Sequence, residues 1–463
     1  MSDNRRSFIK KSAAGVVSAP LLTSASTSHA RNDGAYDVIV IGAGFAGVTA
    51  ARETSLRGHH TLLLDARPRI GGRTLTLPLA GHDLDLGGTW IGWSQPHVWA
   101  EIMRYEIDIA ERAASATDLA IWFEDGKRRR EPYAEFAPIW QQATDLMYAP
   151  AREALPRPFD PLFAKDIAKL DAMDAASVIN GLKLKPVERD VALSLAAIDA
   201  HARPQESSYL DQLRWFALGD FDVWNMFDNL ARYRIKGGTK ALIERMHADS
   251  DVETRLGTPV TAVKQNKDGV EITTAAGETL RARRVIAALP MNCYNDIKFE
   301  PGLSAAKTQQ SAARHTGSGT KLYARIKGRE RMVECTGTYD MPLNFLWTEY
   351  DDADSQILVG FGSSKDYLDI HSESAVHDAV HRYLPDAQVL EFFTYDWNVD
   401  PYAKGTWCMY RPGVLTEHFT DLKRPEGKVF FAGGDIAEGW RGFIDGAIES
   451  GLRTGRQVAD ALS

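Results

Sequence analysis

Three glycines in the pattern G-x-G-x-x-G, Gly42, Gly44 and Gly47, are the residues whose type and spacing most directly imply chemistry. They follow an apolar β-branched run at 38–41 that reads as a buried parallel strand, and they open a helix predicted over 46–53. Gly42 permits a tight turn, Gly44 lets the backbone approach a pyrophosphate, and Gly47 lets helix and strand pack closely. The helix N-terminus, with Phe45 and Ala46 at its start, offers unpaired N–H groups to phosphates. A second apolar strand at 61–64 ends in Asp65, about 20 residues beyond the glycines, where a carboxylate accepts hydrogen bonds from an adenosine ribose. Ala66 and Arg67 continue that edge. Together these parts predict an adenine-dinucleotide site.

Directly after the acidic residue stand Arg69-Ile70-Gly71-Gly72-Arg73 and then Asp85-Leu86-Gly87-Gly88-Thr89-Trp90. This order resembles the GG-doublet flavoproteins and implies FAD rather than NAD. In that superfamily the first segment, here with Gly72 and Arg73, wraps the pyrophosphate. The second, here Gly87, Gly88, Thr89 and Trp90, approaches the flavin ring. Near the C-terminus a strand runs into Gly433-Gly434-Asp435, and a last helix opens at 446–451. The resemblance gives Gly434, Asp435, Phe443 and Ile444 to the ribityl chain and pyrophosphate, and Val260 to adenine.

Length argues for two domains, because one core rarely grows past about 300 residues and this chain has 463. The expected class is α/β: a Rossmann-like FAD-binding domain from 31–95, 235–300 and 396–463, with a mixed sheet plus helical substrate domain from 96–234 and 301–395. Residues 96–230 read as a helical insertion, and the basic run Lys127 to Arg130 as a surface loop. Strands are predicted at 255–268, 270–274, 285–289, 321–326, 344–348 and 357–362.

A net charge of -8 disfavours nucleic acid as a partner. Residues 1–30 read as a twin-arginine export signal, with Arg5-Arg6 ahead of a weakly apolar run and Ser28-His29-Ala30 as a cleavage site. Its loss removes four basic groups and one acidic group, moving the charge to -11. A periplasmic location follows, and no membrane anchor is expected. Three cysteines, Cys293, Cys335 and Cys408, allow at most one disulfide. His371, His377 and His381 match no metal-ligand spacing and read as a solvated helix face, so no metal is expected.

The stretches at 87–101, 213–218, 395–412 and 439–451 make nearly the whole remaining chain resemble the flavin monoamine oxidases, closest to bacterial nicotine-degrading members. The resemblance implies removal of a hydride equivalent from the carbon beside nitrogen to flavin N5, giving an imine that hydrolyses to an aldehyde and an amine. It implies a secondary amine, pseudooxynicotine, with nicotine or another cyclic or aliphatic amine as the alternative. An L-amino acid needs a cationic anchor, and no arginine is seen at a matching pocket position. Trp407 and Phe443 take the places of two aromatic walls flanking the flavin, Trp397 lies beside its ring, and Lys321 matches a lysine that holds a water near N5. Trp93, Tyr209, Trp215, Trp224 and Phe345 are candidates for the remaining pocket. Mammalian relatives bind flavin through a cysteine just before the first wall. Thr406 stands there here, so FAD is expected to be non-covalent. Oxygen or a c-type cytochrome is the expected electron acceptor, and a homodimer is compatible with the sequence.

Overall fold

Strand Tyr36–Ile41 is buried at all six positions, as a central parallel strand covered on both faces must be. In this computed structural model, which describes residues 35–112 and 117–463, it sits between Thr61–Leu64 and Thr279–Ala287 and pairs with both in parallel. Glu253–Arg255 extends one side of the sheet, and Val270–Thr274, Val260–Gln265 and Lys298–Glu300 extend the other, with Val429–Phe431 parallel to Thr279–Ala287. The export-signal reading of residues 1–30 lies outside the described residues.

Helix Phe45–Leu56 follows the first strand and packs against the final helix Ile444–Leu462. The contact depends on two glycines. A Cβ on Gly451 would lie 2.4 Å from the Ala46 carbonyl oxygen, and one on Gly455 would lie 2.7 Å from the Glu53 side chain.

A second sheet runs in the order Val389–Thr394, Thr320–Lys327, Ser355–Gly362, Phe345–Asp351, Val333–Thr336, Leu119–Glu124, Lys127–Pro132. Several expectations are corrected here. The 96–230 segment is not wholly helical: it holds strands Ile109–Glu111, Leu119–Glu124 and Lys127–Pro132 besides its helices. The basic run is no loop but the exposed edge strand of this sheet. Asp125 and Gly126, at φ 50° and 72°, turn the hairpin, as Asp-Gly favours. Lysine and arginine on such an edge discourage pairing with another chain. His371 precedes helix Glu373–His381 rather than sharing its face, and His381 Nε2 lies 2.9 Å from the Ala387 carbonyl oxygen. The three cysteines are buried and free. Among the described residues no cluster of His, Cys, Asp and Glu suits a metal ion.

Helices Pro186–Ala200 and Tyr209–Leu218 lie in the largest core cluster. Inside it is a buried charge cluster. Asp211 pairs with Arg214 at 3.0 Å and with Arg441, and it accepts the Tyr410 N–H at 2.7 Å. Arg214 also donates to the Gly439 carbonyl. Burial works to raise the Asp211 pKa, but Arg441 and Arg214 outweigh it and hold the carboxyl below its ordinary value. Burial and the neighbouring Arg441 push Arg214 down to about 10. Asp211→Ala strands two buried cations, which costs about 3–5 kcal/mol. The expected result is a clear fall in the denaturation midpoint of the variant in urea; an unchanged midpoint would deny the cluster this role.

Candidate active site

A cavity of about 630 Å³ joins the glycine turn to an aromatic chamber. Its nucleotide end is walled by Gly42, Gly44, Phe45, Ala46, Asp65, Ala66, Arg67, Gly72, Arg73 and Val260. Asp65 is held by backbone donors on both oxygens: Ala43 N–H reaches Oδ2 at 2.7 Å and Arg67 N–H reaches Oδ1 at 2.8 Å. This orients a carboxylate on the cavity wall with lone pairs still available for hydroxyl groups. Gly42 has φ 104°, and a Cβ there would meet the Ala288 carbonyl oxygen at 2.4 Å. Gly72, at φ 59°, would place a Cβ 3.1 Å from the Gly44 Cα. Two glycine turns therefore press together beside the N-terminus of helix Phe45–Leu56, a cradle of bare backbone that suits a pyrophosphate.

Asp435, expected at the cofactor, stands behind this wall, as do Gly47 and Arg69. A Cβ on Gly47 would fall 1.8 Å from the Gly42 carbonyl oxygen, so Gly47 serves strand and helix packing and is not on the wall. Asp435 is buried and bonds Arg73 at 2.6 Å and the Met291 N–H at 2.9 Å. Arg69 turns its guanidinium onto the carbonyls of Ile70, Gly72 and Thr74, bracing the glycine doublet from behind.

Beyond the doublet the wall continues through Gly87, Gly88, Thr89, Trp90, Trp397, Gly434, Phe443 and Ile444. Trp397 Nε1 donates to the Leu86 carbonyl at 2.9 Å, which fixes its ring against Gly87. Lys321 also lines the cavity, but its ammonium is engaged by the carbonyls of Asp85 at 2.7 Å and Gly87 at 3.0 Å and by Thr89 Oγ1 at 2.5 Å. All three of its donors are thus used inside the protein, and it pins the 85–89 turn. Burial lowers its pKa to about 7, against the pull of Asp85 and Glu349.

The far chamber is aromatic. Trp407, Phe443, Trp215 and Phe345 line it, together with His201, Trp347 and Phe361. His201 stacks on Trp407 at 3.9 Å with a 3° interplanar angle, and Trp215 meets Phe443 edge-on at 4.9 Å. His201 Nδ1 lies 2.8 Å from Thr406 Oγ1 and Nε2 lies 3.0 Å from the Thr320 carbonyl oxygen. Burial drives its pKa to about 3, so the ring is neutral. Nothing in the local sequence marks His201, a residue at φ 47° just past a helix end.

Three aromatic candidates do not reach the cavity. Trp93 is 49% exposed and donates to Asp228, and Trp224 is 45% exposed against Trp140. Tyr209 is buried with its hydroxyl on the Met147 carbonyl. It sits six residues before Trp215 on one helix, about 120° around the axis from it, so the two rings face different ways. An arginine, Arg112, does stand on the wall, contrary to expectation, with Glu334 at 3.6 Å as its counterion. Thr406 lines the cavity; Cys408 does not, its Sγ lying 3.9 Å from the Asp435 carbonyl oxygen.

Asp65→Ala is expected to weaken FAD binding about 10- to 100-fold, the worth of hydrogen bonds to a charged group, as read by flavin titration of the apoprotein. For Lys321, the unfolded chain holds the extra proton between about pH 7 and the ordinary lysine value near 10.4. Stability should therefore rise with pH across that window. Lys321→Met should lack this rise, and parallel wild-type and variant curves would refute the burial argument.

The profile of the family described as "Flavin containing amine oxidoreductase" matches residues 45–459. Pseudooxynicotine dehydrogenase of a Pseudomonas species is 44% identical over 92% of this chain and 87% of its own. Nicotine dehydrogenase of Pseudomonas putida is 37% identical over 99% of this chain and 98% of its own. Among solved structures, cyclohexylamine oxidase from Brevibacterium oxydans superposes with a TM-score of 0.80 at 24% identity, covering 92% and 99% of the two chains. Putrescine oxidase bound to putrescine gives 0.79 at 23%, covering 91% and 98%. A glycine cradle and a backbone-oriented carboxylate on the cavity wall that fit FAD, joined to an aromatic chamber and matched almost end to end by this profile, place the chain in the flavin-containing amine oxidoreductase family.

Proposed function

We propose that the chain oxidises the secondary amine pseudooxynicotine to an imine that water hydrolyses to 3-succinoylsemialdehyde-pyridine and methylamine. The observation that carries this reading is the 44% identity to pseudooxynicotine dehydrogenase. Nicotine is the second reading, supported by the near full-length match to nicotine dehydrogenase.

FAD, when bound, supplies a two-electron acceptor for the hydrogen on the carbon beside nitrogen. The protein supplies the rest. Gly42, Gly44, Gly72 and Asp65 would hold the dinucleotide, and Lys321 fixes the turn that carries Gly87 to Thr89. Trp407 and Phe443 position the amine between flat walls, each backed by a second ring. Apolar walls disfavour the ammonium by desolvation while their faces attract it weakly, and the species that reacts is the neutral amine.

FAD is held without a covalent bond in this reading, because Thr406 occupies the wall position where related enzymes carry the linking cysteine. Export through the twin-arginine route to the periplasm is part of the proposal, on the strength of Arg5-Arg6 and the apolar run after them. Oxygen or a c-type cytochrome would take the electrons there, and a homodimer is an open form of the assembly.

Acid precipitation should release all the flavin into the supernatant; flavin retained on the pellet would overturn the non-covalent reading. Trp407→Ala should keep FAD and lose about 100-fold or more in anaerobic flavin reduction, since a displaced substrate costs about that much. Wild-type bleaching by pseudooxynicotine in preference to nicotine and simple aliphatic amines supports the substrate reading, and preference for another amine moves it.

A further inference from the structure

Four acidic residues line the cavity, and three of them have a partner that stabilises charge. Asp65 takes two backbone N–H groups, Asp296 pairs with Lys404, and Glu334 faces Arg112. Asp199 is different. It is 2% exposed at the end of helix Pro186–Ala200, and its carboxyl receives one hydrogen bond, from the Tyr148 hydroxyl at 3.1 Å. Among the described residues no cation and no backbone N–H meets it. Its own carbonyl accepts the indole N–H of Trp407 at 2.8 Å, which ties its place on the wall to that aromatic face.

The surrounding titratable groups bring no opposite charge to this carboxyl. Tyr148, stacked on Phe216 at 4.7 Å, is kept protonated by burial, and Tyr209 behind it likewise. His201, two residues on, is neutral. Lys321 and Arg112, the cations of the chamber, are committed to the 85–89 turn and to Glu334. Burial raises the Asp199 pKa to about 8, so near neutrality the resting carboxyl is mostly protonated, and it gives that proton to solvent as an ammonium takes its place.

The geometry points to a further catalytic residue: we propose that Asp199 is the counterion of the incoming ammonium and the acceptor of its proton, which leaves a free amine against the Trp407 face. This rests on the amine-oxidation reading above. The resting proton of the carboxyl first goes to solvent; one N–H bond of the ammonium then breaks and one O–H bond forms on the carboxylate, so each turn releases one proton net. No electrons change hands, and the nitrogen lone pair set free is the one that assists loss of hydrogen from the neighbouring carbon. In a dry site the product pair, acid and amine, carries no charge, so burial drives the transfer forward. The other described residues of the chamber offer no comparable acceptor, since His201 already spends both ring nitrogens.

The test is anaerobic stopped-flow flavin reduction of the holoenzyme by a secondary amine from pH 6 to pH 10, in wild type, Asp199→Asn and Asp199→Glu, with flavin content confirmed by visible absorbance. At pH 7, Asp199→Asn should lose about 100-fold in kcat/KM, the ordinary scale of proton-transfer assistance. The deficit should close as the pH approaches the amine's own pKa and free amine becomes abundant. Asp199→Glu should restore most of the rate. A variant Asn enzyme equal to wild type at pH 7, or a deficit constant across pH and shared by the Glu variant, would overturn the proposal while leaving amine oxidation standing. A wild-type flavin that no secondary amine bleaches would instead overturn the functional reading, and this proposal with it.

Discussion

Asp211 is the point at which the active chamber is tied together. Its carboxylate joins helix Tyr209–Leu218 to two segments about 200 residues later in the chain, through the Tyr410 N–H and the Arg441 guanidinium. The first segment carries Trp407, the second carries Phe443, and the helix itself carries Trp215. Such a cluster is a poor source of net stability, because burying three charges costs nearly what their attraction returns. What it provides is registration. Apolar surfaces can slide over one another with little penalty, whereas a buried carboxylate shared by two guanidinium groups has few arrangements that satisfy it.

The cavity divides its work between two kinds of surface. At the nucleotide end, side chains are mostly removed: Gly42, Gly44 and Gly72 let peptide groups approach a ligand directly. At the substrate end, side chains are enlarged until rings brace rings, with His201 behind Trp407 and Trp215 behind Phe443. Lys321 bridges the two regimes, its stem in the substrate sheet and its ammonium on the turn that belongs to the cofactor.

The glycine turns were legible in the sequence because their constraint is local: a positive φ combined with close backbone approach leaves room for glycine alone. Asp65 was legible for the same reason, by its fixed distance from them. The strand Leu119–Glu124 was not, because its pairing with Val333–Thr336 spans some 200 residues and leaves little periodic trace in the intervening chain. Tyr209 and Trp215 looked equivalent in sequence and are separated only by which face of one helix each occupies. Asp199 and His201 carried no signal at all. Their character comes from what the fold withholds from them, charge partners and water, and that is a tertiary property.

The seam between helix Phe45–Leu56 and helix Ile444–Leu462 also couples the cofactor to the packing of distant segments. Gly451 and Gly455 let the two helices approach closely, and Phe443 and Ile444, at the start of the second, complete the cofactor wall. A bound dinucleotide would therefore hold together two helices from far ends of the described residues, and its binding would favour the docked arrangement of both.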